Sequence, residues 1–278
     1  MAVGTFYQGK RVLLLGATGG LGSELARQLA ARGAGRLVLS GRNGAALAAL
    51  ADEVRAAGTA ADVLPCDVRD RDALARCLER ALEGGLDGAF LACGVAPGKS
   101  ADGFEEPEEM ARCFAVNVLA PASALVLLCR GWERAGRGRR FAAVVTSQAG
   151  LLPLPFAPAY AASKAAMNAL GEGLRDRLAA AGAALTLVMP GFFDSPMGRR
   201  FRGKRKWFSL TAAEAARRTL DGTARGEARC IFPWELACGI WLANHLPAWI
   251  VKPVMQAFAF DTAPDGESAA RGREDGRR

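Results

Sequence analysis

The chain has 278 residues, of which 51% are hydrophobic and 23% charged, with a formal net charge of +8. Such a composition supplies a full core for one α/β domain and excludes a disordered chain. Its cysteines (Cys66, Cys77, Cys93, Cys113, Cys129, Cys230 and Cys238) are scattered without a Cys-x-x-Cys pair, and His245 is the lone histidine. This argues against a zinc site or disulfide framework, so no metal is expected and a reducing cytoplasm is the expected compartment.

No apolar run precedes the first strand, so no signal peptide is expected. Arg11-Val12-Leu13-Leu14-Leu15 then reads as a buried strand running into Gly16-Ala17-Thr18-Gly19-Gly20-Leu21-Gly22. From Leu21 the apolar positions Leu25, Ala26 and Leu29 recur at helical spacing. Strand, glycine turn and helix in that order are what a dinucleotide pyrophosphate needs: the turn brings backbone close, and the helix N-terminus offers N–H groups. Strands are predicted over 11–16, 36–40, 61–65, 86–92, 141–147, 184–189 and 229–232, with helices between them. The longest helix, near 105–134, carries Asn117, and another begins near Pro158. This alternation predicts an α/β doubly wound parallel sheet of the Rossmann type, covered by helices on both faces.

Tyr160 and Lys164, in Ala159-Tyr160-Ala161-Ala162-Ser163-Lys164, stand four residues apart and share one face of that later helix. A fixed ammonium beside a phenol favours phenolate, which draws an acid of reference pKa about 10 toward the neutral range. The pair is therefore a candidate general acid for a carbonyl oxygen.

With these residues in register, the chain resembles the short-chain dehydrogenase/reductase family over roughly residues 8 to 232. Gly16, Gly20 and Gly22 match its Gly-x-x-x-Gly-x-Gly turn, Asp67 its adenine-contacting acid, and Asn117 its active-site Asn. Ser147, thirteen residues before Tyr160, matches its active-site Ser, and Pro190-Gly191 follows the sixth predicted strand. Gly16, Gly19 and Gly22 also fit the Gly-x-x-Gly-x-x-Gly turn of the extended branch, whereas chain length and the Ser to Tyr spacing favour the classical branch. Two stretches depart from the pattern. Leu91-Ala92-Cys93-Gly94 stands where the family has Asn-Asn-Ala-Gly, and Ser195 replaces the Thr expected after Pro190-Gly191, keeping a hydroxyl for the nicotinamide carboxamide.

The resemblance implies Tyr160 as proton donor, Lys164 as its activator and ribose ligand, Ser147 as hydrogen-bond donor to the substrate oxygen, and Asn117 as the holder of a relay water. The implied cofactor contacts add Thr18, Leu21, Val68 and Gly94. At the end of the second strand, Leu39-Ser40-Gly41-Arg42-Asn43 lacks the acid that would bind the ribose hydroxyls and repel a 2′-phosphate. Arg42, with Ser40 and Asn43 as neutral donors, favours NADP(H) over NAD(H).

Leu151-Leu152-Pro153-Leu154-Pro155-Phe156 and Phe192-Phe193 flank these motifs and suggest a hydrophobic small-molecule or acyl substrate. Arg199, Arg200, Arg202, Lys204, Arg205 and Lys206 form a basic run before Trp207-Phe208. No nucleic-acid motif accompanies it, so nucleic acid is not an expected partner. Three segments are expected: a catalytic domain over 1–232, an apolar helical extension of it over 233–260, and a disordered tail over 261–278. The extension holds Trp234, Trp241 and Trp249 and is read as two broken amphipathic helices that serve a substrate lid, a homo-oligomer contact or peripheral membrane association. The expected function is NADPH-dependent reduction of a hydrophobic carbonyl; the alternatives are an epimerase-like extended-branch enzyme and a non-catalytic dinucleotide-binding scaffold or sensor.

Overall fold

The computed structural model describes residues 3–98, 104–136, 138–203, 209–247, 249–251, 253 and 260–262. Seven parallel strands form one sheet: β1 (Arg11–Leu15), β2 (Arg36–Gly41), β3 (Ala60–Pro65), β4 (Gly88–Leu91), β5 (Arg140–Val145), β6 (Ala183–Pro190) and β8 (Arg229–Phe232). Each lies within two residues of its predicted bounds. The strand order is β3-β2-β1-β4-β5-β6-β8, so the chain reverses direction across the sheet between β1 and β4. In such sheets ligands bind beyond the carboxyl ends of the strands at that reversal.

Side-chain alternation along the strands divides the core into two layers. Val12 and Leu14 of β1 face a layer built on α1 (Gly20–Ala31), α2 (Gly44–Ala56) and α8 (Ala212–Ala224). Leu13 and Leu15 face the layer of α3 (Arg71–Glu83), α5 (Ala120–Arg134) and α6 (Pro158–Ala180). Because both faces are covered, the strands read as continuous apolar runs. At the edge away from the ligand end, Tyr7 donates to the Leu220 carbonyl (2.7 Å), and its ring packs with Phe6, Phe90 and Phe141.

The predicted helix near 105–134 is continuous: α4 (Pro107–Phe114), a π-helical turn (Ala115–Leu119) and α5. This run has the length and hydropathy of a membrane span, yet Ala124, Leu125, Leu128 and Trp132 pack into the sheet, so it is a core helix. Beyond the seven-stranded sheet, α7 (Pro196–Arg200) follows β6 and α9 (Trp234–His245) follows β8, with a helical turn at 249–251. A short β7 (Phe201–Gly203) pairs antiparallel with β9 (Phe260–Thr262), so Asp261 and Thr262, expected in a disordered tail, belong to a strand. Residues 204–206 of the basic run with 207–208 after it, 248, 252 and 254–259 of the expected apolar extension, and 263–278 of the expected tail lie outside the described residues.

Candidate active site

Beyond β1 the chain turns through Gly16, whose φ of +89° an L side chain rarely adopts and where a Cβ would lie 2.7 Å from the Cys93 nitrogen. The amides of Gly16 and Ala17 donate to the Ser40 carbonyl (2.8 and 2.9 Å), which fixes the turn against β2. Helix α1 then starts with no side-chain cap at Gly19 and no acid in its first turn. Its exposed amide end therefore faces the space lined by Thr18, Gly19, Gly20 and Leu21 as an open anion site, which fits a dinucleotide pyrophosphate.

That space continues as a cavity of about 740 Å³. Gly94, Ser147, Tyr160, Lys164, Pro190, Gly191 and Ser195 all line it, whereas Asn117, expected beside them, does not. Ser147 follows β5 in extended conformation; its Oγ accepts from the Ala149 amide (3.1 Å) and donates to the Pro190 carbonyl (3.4 Å). Lys164 Nζ donates to the Val145 carbonyl (3.1 Å) and lies 5.7 Å from the Tyr160 ring centroid. Ser195 Oγ accepts from the Gly198 amide (2.9 Å), and its Cβ lies against Gly20, at the start of α1.

The electrostatics differ from the expectation of a phenol drawn toward neutrality. Burial pushes the Tyr160 phenol up to about 12, against a hydrogen bond with Ser147 that lowers it. Burial also brings the Lys164 ammonium down to about 8, opposed by the nearby Cys113 and Cys93 thiols. Both shifts have one cause, since each charged form loses water. The ammonium is bonded to the Val145 carbonyl and lies over the Tyr160 ring, and desolvation is the largest effect on the phenol.

Asn117 occupies the π turn and is 1% exposed. Its Oδ1 accepts from the Val95 amide (2.8 Å), while Nδ2 faces the Val95 carbonyl (2.8 Å) and Ser163 Oγ (3.0 Å). The side-chain amide thus clamps the segment after β4 onto α6. This clamp ties down Cys93-Gly94-Val95 where the family's usual amides are missing, and β1 and β4 stay paired from Val12↔Gly88 to Leu15↔Leu91.

Ser40, Arg42, Asn43, Asp67 and Val68 lie away from the cavity wall, near the ends of β2 and β3. Asp67 binds Arg69 through both carboxylate oxygens, which holds its carboxyl below the usual range, with Arg42 adding to that effect. Arg42 and Asp67 are therefore neighbours. Ser40 corrects the sequence reading: strand alternation turns its side chain inward, where Oγ is fully buried and shares a hydrogen bond with Cys77 Sγ (3.4 Å). Its contribution to the site is the carbonyl that holds the glycine turn. Asn43 Oδ1 caps α2 through the Ala46 amide (3.0 Å), which leaves only its NH2 group for a ligand. Val68 packs against the second core layer.

Two features escaped the sequence reading. Glu105, 5% exposed, accepts from the Ala159 amide (2.8 Å) and so caps the catalytic helix from 54 residues away. Gln148 lines the cavity; its Nε2 donates to the Pro233 carbonyl (3.0 Å), which fixes the amide orientation and leaves Oε1 buried without a partner. Neither carries a local signal, because each depends on a partner far along the chain. In the apolar extension, for which a substrate lid is one expected role, Leu236, Gly239, Ile240 and Ala243 of α9 and, just after it, Leu246 form an apolar wall over the site, tied down by Asn244 Nδ2 donating to the Leu151 carbonyl (2.8 Å). Among the described residues no group of His, Cys, Asp and Glu is arranged to hold a metal.

A doubly wound sheet with an open α1 N-terminus and a Ser, Tyr and Lys set at the reversal defines a dinucleotide-binding oxidoreductase of the Rossmann type. The short chain dehydrogenase family model matches residues 10–206, and the chain belongs to that family. It is 34% identical over 242 residues to an uncharacterized oxidoreductase of Myxococcus xanthus, covering 86% of this chain and 93% of that one. It is 28% identical over 260 residues to a hydroxysteroid 11-beta-dehydrogenase 1-like protein of Gallus gallus, covering 90% and 86%. A short-chain dehydrogenase of Sphingobium yanoikuyae solved with NADPH superposes with a TM-score of 0.73 at 24% identity, covering 86% and 97%, and shares the fold.

Proposed function

We propose that the protein is a classical-type, NADP(H)-dependent reductase of a hydrophobic carbonyl, or dehydrogenase of the matching secondary alcohol. The observation that carries this reading is the placement of Ser147, Tyr160 and Lys164 on one side of an apolar cavity whose other end is the open N-terminus of α1. The turn amides and that helix end would hold the pyrophosphate, Lys164 the nicotinamide ribose and Ser195 the carboxamide. NADP preference is supported by Arg42 at the end of β2, by the missing acid at Gly41 and by the NADPH in the Sphingobium structure.

When bound, the cofactor supplies the hydride. Ser147 hydrogen-bonds the substrate oxygen and stabilises the charge that develops there. Tyr160 hands its phenolic proton to that oxygen, a role suited to a group that burial keeps protonated. Lys164, which would hold the ribose hydroxyls, would as an ammonium draw the phenol back down as the proton leaves. The apolar wall of α9 and Phe156 excludes water and takes the substrate's hydrocarbon part. That wall favours this reading over a sugar-handling, epimerase-like one, and intact Ser147, Tyr160 and Lys164 favour it over a scaffold or sensor. We place the enzyme in the cytoplasm as a homo-oligomer with peripheral membrane association.

The test is NADPH oxidation with a panel of hydrophobic ketones. Tyr160→Phe should keep its fold and NADPH binding while turnover falls by about 10²-fold or more. Near-normal turnover by the folded, cofactor-saturated variant would remove the mechanism.

A further inference from the structure

Helix α9 has two apolar faces and the core takes neither. Its inner residues Leu236, Ile240 and Ala243 look into the cavity, while Trp234, Trp241 and, on the following turn, Trp249 are 65%, 64% and 75% exposed. No residue of α9 is fully buried. A helix that is apolar all round is ordinarily enclosed, so an outer face of this composition calls for a covering medium. At 12 residues, or about 18 Å, it is far shorter than the ~30 Å of a bilayer core, so it can lie in an interface but not span it.

The mouth of the cavity runs along the same helix, because Glu235, Gly239, Leu242 and Leu246 both line the cavity and are exposed. Helix α7 borders the same cavity through Pro196, Met197 and Gly198 and ends in Arg199 and Arg200. Tryptophan prefers the boundary between headgroups and chains, and a chain of net charge +8 is attracted to an anionic leaflet. A second copy laid over α9 would cover the mouth, whereas a bilayer there opens it onto a reservoir of ligand.

We infer that the outer face of α9 docks on anionic membrane, so that the cavity is loaded directly from the bilayer with a single-chain lipid bearing the carbonyl. The docking half stands on α9 alone; the carbonyl half rests on the proposed reductase activity.

The experiment compares the full-length protein with the triple variant Trp234→Ser, Trp241→Ser, Trp249→Ser, none of which lines the cavity. Phosphatidylcholine vesicles with and without phosphatidylserine are the probe. The parent should sediment with the anionic vesicles, more weakly as salt rises, and brominated lipid should quench its tryptophan emission. The variant should bind roughly tenfold or more weakly while its melting temperature and its reduction of a short, water-soluble ketone stay unchanged. Its reduction of a long-chain ketone supplied in the vesicles should fall roughly tenfold. A parent that ignores anionic vesicles, a variant that binds them equally, or a variant whose oligomeric mass drops overturns the docking face. Vesicle binding lost by the variant, in a parent that reduces no ketone, would uphold docking and overturn the reductase reading.

Discussion

The two sides of the cavity are built on opposite principles. On the sheet side, Asn117, Ser163, Lys164 and Ser147 are buried polar groups, each bonded to backbone or to one another. On the other side, α9 supplies almost only apolar groups, exposes its tryptophans and is held to the domain by Asn244 and by contacts to β8. Buried polar networks fix atoms to fractions of an ångström because any lost partner is costly, whereas apolar contact is non-directional. The proposed chemistry therefore sits on the wall that cannot shift, and the proposed substrate meets the wall that can.

The sharpest way to break the contrast is at Lys164. Lys164→Met should lower turnover by about 10²-fold or more and also weaken cofactor binding, whereas Tyr160→Phe spares binding. Lys164 also predicts a pH signature in the unliganded protein. Its pKa is about 8 folded against 10.5 unfolded, so between those values the unfolded chain binds more protons and stability rises with pH. The gain is about 3 kcal/mol by 1.36 kcal/mol per unit, and it should vanish in Lys164→Met when unfolding is measured by urea titration across that range.

Arg42→Ala tests the adenosine end of the fixed side. It should weaken NADPH binding by about 1.5 to 3 kcal/mol and leave NADH nearly untouched. Equal losses for both cofactors, measured by titration, would remove the phosphate assignment.

Glu105→Gln keeps an acceptor for the Ala159 amide but removes a charge from the start of the catalytic helix. A loss of about 1 kcal/mol in stability is expected, with turnover per folded molecule preserved. Leu236→Ala on the yielding wall should change global stability least, by under about 1 kcal/mol, while raising KM for bulky ketones more than for small ones. If that substitution unfolded the protein, the distinction between the two walls would be lost.

Sequence alone determined the parts that depend on local pattern. Strands buried on both faces show as apolar runs, the pyrophosphate turn shows as glycines between strand and helix, and Tyr160 and Lys164 show by helical spacing. Chain order then placed Ser147, Pro190 and Gly191 at the ligand end of the sheet. What tertiary structure decided are the long-range pairings: Glu105 on Ala159, Gln148 on Pro233, Asn117 on Val95 and Ser163. Ser40 was misread because its place at the end of a strand does not say which way its side chain points, and only packing against α3 shows it turned inward. The pKa of Tyr160 was misread for the same kind of reason: spacing reveals a neighbouring charge, but desolvation is a property of everything packed around it, and here desolvation is the larger effect.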